Sequence, residues 1–294
     1  MHIINTRDLF LYFSLCRYIV LLSWFVTSTA LACSADETCL EKSSWHVGIA
    51  FGVGIKTNPL VDGDNIPLVI LPDIAWYAEQ AYFDNGELGY QWINQSKFAF
   101  ETFLQLDRER AFFSFLHPAN ILVSSNSFVT DASSENMQTP QPNLSIDEIA
   151  SRKWAINGGI RAHYFLISGE WQLTFQQDIS NVHKGQQLGL EYSHRWIWHS
   201  FRLGMRIGTD WKSSRLLDYY YGVSQRDTDF IGLYFKGQSG WQTYVSLNAQ
   251  KPINENWSWL ANIGYRKLPS SLTSSPLVEK NNISNIFLGV AYRF

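Results

Sequence analysis

The stretch F-R-L-G-M-R-I-G-T-D-W-K, Phe201 to Lys212, decides the fold. Every second residue is apolar or uncharged: Phe201, Leu203, Met205, Ile207, Thr209 and Trp211. Between them stand Arg202, Gly204, Arg206, Gly208, Asp210 and Lys212. A helix would scatter these charges around its circumference, whereas a strand sends successive side chains to opposite faces. The pattern recurs in "SWHVGIAFGVGIK", "KFAFETFLQL", "KWAINGGIRAHYFL", "EWQLTFQQD", "QLGLEYSHRWIW", "WQTYVSLNAQ", "WSWLANIGYRK" and "ISNIFLGVAYRF". The segments are long for a soluble sheet. Their apolar faces often begin or end in Trp or Tyr, as at Trp45, Trp154, Trp171, Trp198, Trp211, Trp241, Trp257 and Tyr292. An aromatic girdle of this kind marks strands that meet lipid headgroups. The expected fold is all-β: a transmembrane antiparallel up-and-down barrel.

Composition agrees. Aromatic residues are 15% of the 294, charged residues only 17%, and the net charge is −3. That balance lacks the basic stripe that nucleic acid requires. Mean hydropathy is −0.14, against a helical membrane protein. Residues 1–32 read as an export signal, with Arg7 and Arg17 before the apolar run Tyr18 to Val26 and small residues at Ala30 and Ala32. Residues 33–294 would then form the barrel. Cys33 is either a lipidation site or a disulfide partner of Cys39.

Short connections ("NQS", "ISG", "WHS", "PINEN") alternate with longer ones, the longest being the Ser/Asn/Pro-rich loop 107–152. Short periplasmic turns and long external loops fit an outer-membrane barrel. Eleven strands are evident, and a single-chain barrel of this kind needs an even number. The ambiguous segment is 66–93, where Asp-Asn-Gly (84–86) signals a hairpin. Three short strands there give twelve in all, and ten is the alternative.

Alternation assigns an inward face to Glu101, Arg161, Glu170, Asp178, Glu191 and Arg195. It does the same for Arg202, Arg206, Asp210, Arg266 and Arg293. Both signs occur, as expected of a polar plug in a narrow barrel, with a selective pore as the alternative. Phe287 is an inward ring that would fill the lumen. Ser193, His194, His199 and Glu191 invite a lipid-modifying reading, but Ser193 and His194 are adjacent and face opposite ways on a strand. His46 and His163 read as ordinary lumen polars. No catalytic, cofactor or metal-ligand spacing emerges.

Three motifs go beyond periodicity. "DYYYGVS" holds Tyr219, Tyr220, Tyr221 and Gly222, and "SPLV" holds Ser275 and Pro276. "GVAYRF" supplies Tyr292 and Phe294. Taken in order, they resemble the MipA/OmpV family of Gram-negative outer-membrane proteins. The resemblance implies a non-enzymatic scaffold in the cell outer membrane, with no cofactor. It would link the membrane to a lytic murein transglycosylase and a penicillin-binding peptidoglycan synthase. Porin-like members make a small-solute channel the alternative, and a lipid A-modifying enzyme a third reading. The resemblance also makes Tyr292 and Phe294 a signal to the barrel-assembly machinery, and outer-membrane lipid a partner. Read alone, "YYYGVS" is the top of a long strand, with Tyr219 and Tyr221 on one side and Tyr220 on the other.

Overall fold

The computed structural model describes residues 44–114, 117, 120 and 143–294. The expected export signal, Cys33, Cys39 and most of the 107–152 loop lie outside these residues. The strands are β1 (Trp45–Lys56), β2 (Ile66–Pro67), β3 (Ile70–Tyr77), β4 (Ala81–Asp84), β5 (Glu87–Asn94), β6 (Phe98–Leu106) and β7 (Ile156–Phe165). They continue as β8 (Gly169–Asp178), β9 (Gln186–Trp198), β10 (Phe201–Lys212), β11 (Gly240–Pro252), β12 (Trp257–Lys267) and β13 (Asn282–Arg293). From β3 on, each pairs antiparallel with the next; β2 and β3 both pair with β1, and β13 returns to β1, so the sheet closes.

Thirteen labels make twelve staves, because β2 and β3 both lie along β1. Ile55 faces Pro67, but Phe51 faces Ile70, so the register slips by one residue between the two pieces. Val69 and Ile70 consequently both point outward, each 53% exposed. The segment 66–93 thus contributes three staves. Asn85 (φ 48°) and Gly86 (φ 93°) turn β4 into β5 in the left-handed conformation that favours Asn-Gly.

Strands alternate as their sequences dictate. On β1, Trp45, Val47, Phe51, Val53 and Ile55 are exposed, while Ala50 on the other face is buried. The outward faces are apolar on every long strand, so the barrel presents an apolar band of the kind a membrane barrel carries. Aromatic residues pair across neighbouring strands near its borders: Trp45 with Trp76, Trp171 with Tyr192, Trp257 with Tyr292, and Trp211 with Trp241.

The connections segregate by length. At one end, where both described chain ends lie, residues 78–80, 95–97, 166–168, 199–200 and 253–256 make short turns. At the other end run 57–65, 107–155, 179–185, 213–239 and 268–281, with the tight Asn85–Gly86 turn. Inside, Phe287 is 2% exposed and packs with Ala50, Ile66, Leu68 and Leu71. Its ring occupies space that glycines leave: a Cβ on Gly52 would lie 2.7 Å from Phe287 Cζ, and one on Gly289 2.8 Å away.

Candidate functional site: the barrel interior and its cap

Two structures fill the barrel. The first is a relay of charged side chains on the inner faces of β5 to β9. Arg161 grips both oxygens of Glu87, at 2.8 and 2.9 Å, and reaches Glu101 at 2.6 Å. Tyr82 donates its hydroxyl to the same two carboxylates. His163 lies 3.4 Å from Glu101 through Nε2 and 2.5 Å from Glu170 through Nδ1. Glu170 then meets Arg195 at 3.6 Å, where the Arg195 side chain is 78% exposed at the short-turn mouth. Burying a lone charge is costly, and this chain satisfies each member with an opposite charge or a hydroxyl.

The second is a cap over the long-connection end. Its core joins Leu60, Phe112, Leu216, Leu217, Tyr221 and Leu277, drawn from four different connections. The central element is the helix α1 (Ser214–Tyr221). This corrects the strand expected over "YYYGVS". Leu216, Leu217, Tyr220 and Tyr221 fall one helical turn apart, so all four bury together on one face. A strand would have sent Tyr220 and Tyr221 to opposite sides. Both are wholly buried, so they are neither a lipid girdle nor an exposed patch.

Polar contacts lock the cap. Ser275 Oγ donates to the Tyr221 carbonyl at 2.7 Å. Arg152 pairs with Asp227 at 2.7 Å and donates to the carbonyls of Gly222, Ala150 and Tyr220. Burial pushes the Asp227 carboxyl up, but the Arg152 guanidinium outweighs this and holds it below its ordinary value. Glu109 receives the Tyr221 hydroxyl at 2.6 Å and the Lys212 ammonium. Asp107 accepts from Asn157 at 2.9 Å and lies 3.2 Å from His183 Nε2. Burial opposes its ionisation, yet these contacts hold its carboxyl below the usual range. The motif residues Tyr221, Gly222 and Ser275 therefore converge on one point, although Ser275 lies 54 positions beyond Tyr221. Pro276 offers its carbonyl to Leu144 N–H at 3.0 Å. Tyr219 remains half-buried at the cap rim, where its hydroxyl accepts from Lys153 N–H at 2.7 Å.

The remaining inward charges have other partners. Glu191 takes the Tyr244 hydroxyl at 2.8 Å, and Asp210 takes the Gln242 amide at 2.9 Å. Arg266 stacks over Tyr244 with its guanidinium 5.1 Å from the ring centre. Asp178 caps its own turn, accepting from Ser180, His183 and Lys184 N–H. Arg202 and Arg293 stand exposed at the short-turn end, and Arg206 is half-buried. Phe294 is 75% exposed. Its N–H still donates to Val47 O at 3.0 Å, and its ring meets Tyr292 edge-on. His194 lies with Tyr192 and Trp196, away from the inward series of Ser193. Among the described residues no group of three or more His, Cys, Asp or Glu is placed to hold a metal. Glu87, Asp107, Glu109 and Arg152 are absent from the expected inward charges. Glu87 follows the Asn-Gly turn by a single residue, which was the available signal for it.

The family model for the MltA-interacting protein MipA matches residues 47–294, from within β1 to Phe294. The chain belongs to the MipA family. It is 32% identical over 116 residues to the putative outer membrane protein YiaT of Escherichia coli K12, covering 36% of this chain and 47% of that protein. It is 26% identical over 144 residues to the MltA-interacting protein of the same organism, covering 49% and 58%. Outer membrane protein OmpV of Vibrio cholerae is 26% identical over 155 residues, covering 51% and 58%. The chain thus spans about half the length of the curated relatives it matches. As a MipA-family barrel with an apolar outer band, it resides in the outer membrane.

Proposed function

We propose that this barrel is a non-enzymatic outer-membrane scaffold, linking the membrane to murein-hydrolysing and murein-synthesising enzymes. The observation that carries the reading is the cap. A lumen stopped at one end by a packed apolar core suits a membrane anchor better than a conduit. The relative named as an MltA-interacting protein supports a lytic transglycosylase as one partner; a penicillin-binding synthase is the second. The short turns are the docking end, because they face the periplasm if the long connections face outward. A photo-crosslinking residue at Ile167, which is fully exposed in the 166–168 turn, tests this. Capture of a murein enzyme from envelopes is the expected result. Capture of none from any of the five short turns would overturn the reading.

A small-solute channel is the second reading. It is favoured by the half-buried Arg206 and Arg266, which keep contact with solvent inside the barrel. The native protein in a planar bilayer separates the two. A scaffold gives no steady conductance, and a channel gives stable ohmic steps.

A further inference from the structure

The inner wall divides by charge. The inward positions of β3 to β8 carry Asp73, Asp84, Glu87, Glu101, Glu170 and Asp178 against Arg161 and the His163 imidazole. Those of β9 to β13 and β1 carry Lys56, Arg195, Arg202, Arg206, Arg266 and Arg293, besides Lys212, which Glu109 neutralises. Glu191 and Asp210 oppose them on that half, and Glu170 of the neighbouring β8 meets Arg195. No single strand contains this separation; closure of the barrel creates it.

Register orders the basic half further. Arg202 stands beside Gln250; two residues on, Gly204 stands beside Arg195. Two more bring Arg206, and two more bring Gly208 beside Tyr244, whose other neighbour is Arg266. Four arginines therefore climb one wall from the short-turn mouth, each about 7 Å above the last at two residues per step. Lys56 shares the third step's cross-strand row, through Ser246, Gly264 and Asn285, although its ammonium turns to Asn120 Oδ1 at 2.9 Å and the Phe112 ring. The three residues between the two cations are small. Arg202 is exposed, while Arg206, Arg266 and Lys56 are half-buried. The wall meets solvent at the short-turn mouth, where Arg195 and Arg202 are exposed.

We propose that this wall is an anion-binding site entered from the short-turn mouth. Its ligand is a small soluble molecule bearing two or more phosphate or carboxylate groups, since one charge would engage a single step. Guanidinium forks suit both groups. The acidic half opposite orients the ligand and repels anions from the wrong wall.

The test uses the full chain folded in an uncharged detergent, with inorganic pyrophosphate titrated calorimetrically and citrate as competitor. Pyrophosphate should bind at low ionic strength, be displaced by citrate, and bind about tenfold more weakly at high salt. Arg206→Gln with Arg266→Gln should weaken binding about tenfold or more. Asp84→Asn, on β4 across the barrel from β10 to β12, should not weaken it. Arg202→Gln at the exposed mouth disturbs no packing and should weaken binding about threefold, so it decides the matter if the double variant fails to fold. Absence of binding by the native protein would overturn the proposal. So would undiminished affinity in the folded double variant, or in Arg202→Gln.

Discussion

Arg161 shows how much can rest on one inward side chain. It neutralises Glu87 and Glu101 together and lies 4.2 Å from the centre of the Phe103 ring. Removing it strands two buried carboxylates, which costs about 3–5 kcal/mol for a broken buried pair. Arg161→Met should therefore lower the urea midpoint of the folded band on unheated gels. Adding Glu87→Gln and Glu101→Gln should restore much of the loss, and a triple variant as unstable as the single one would contradict the pairing. Alternation alone assigns Arg161 and Glu101 to one face; their contact is not legible there, because it needs the register of β6 against β7, which sets Glu101 beside Arg161. Glu87 escaped because its strand begins directly after a turn and has little room to display a period.

Phe287 gives a second test at this scale. It fits only because Gly52 and Gly289 lack a Cβ. Gly52→Ala places a methyl into both the ring and the Leu288 carbonyl, 2.4 Å away. Overpacking of this kind costs about 1–3 kcal/mol. Phe287→Ala in the same chain should recover only part of that loss, because the clash with the Leu288 carbonyl remains. Full recovery, measured by thermal loss of heat-modifiability, would assign the whole cost to the ring.

Among the elements, the cap departs most from what the sequence displays. Tyrosine-rich "YYYGVS" comes soon after a twelve-residue strand, and tyrosine favours strands. The eight-residue helix is too short to announce itself by propensity. Its signal is the spacing of Leu216, Leu217, Tyr220 and Tyr221, which fits one helical face and no strand face. Acid should loosen the cap. His117 stacks on Trp154 at 4.8 Å, with planes 7° apart. Burial pushes its imidazole down to about 4, and the Lys56 charge adds to this. The unfolded chain protonates this ring near pH 6.5, whereas the folded cap resists until about pH 4. Stability thus rises with pH across that window and falls as pH drops through it, by up to about 3 kcal/mol. Cap amides should exchange hydrogen faster at pH 4.5 than at pH 7 after correction for intrinsic rate. His117→Phe keeps the stack and should flatten the dependence. An equal dependence in the variant would place the acid sensitivity elsewhere, with Asp107 the next group to examine.

At the scale of the whole molecule, alternation and connection lengths announced a barrel, and the Asn-Gly turn supplied the even strand number. What they could not display is that charge collects on opposite walls, since each strand alone looks like any other inward mixture of polar groups. The cap and the divided lumen make a joint prediction. The native barrel should stay silent in a planar bilayer. Replacing 214–236 with a short Gly-Ser linker removes α1, and with it Tyr220, Tyr221 and the Asp227 partner of Arg152. The strands flanking that loop pair through their own ladder, from Arg202 beside Gln250 up to Lys212 beside Gly240, so the barrel should still fold and shift on heating. It should now conduct. Its selectivity should favour chloride over potassium, because the arginine wall lines the path at every step from the mouth to Arg266. Selectivity should weaken at high salt as the wall is screened. Arg202→Gln with Arg206→Gln in the linker variant should move the reversal potential toward zero. A folded linker variant that stays silent would mean that the interior, rather than the cap, blocks passage, with Phe287 and the Arg161 relay as the obstruction. A conducting one that prefers cations would mean that the acidic half governs the field.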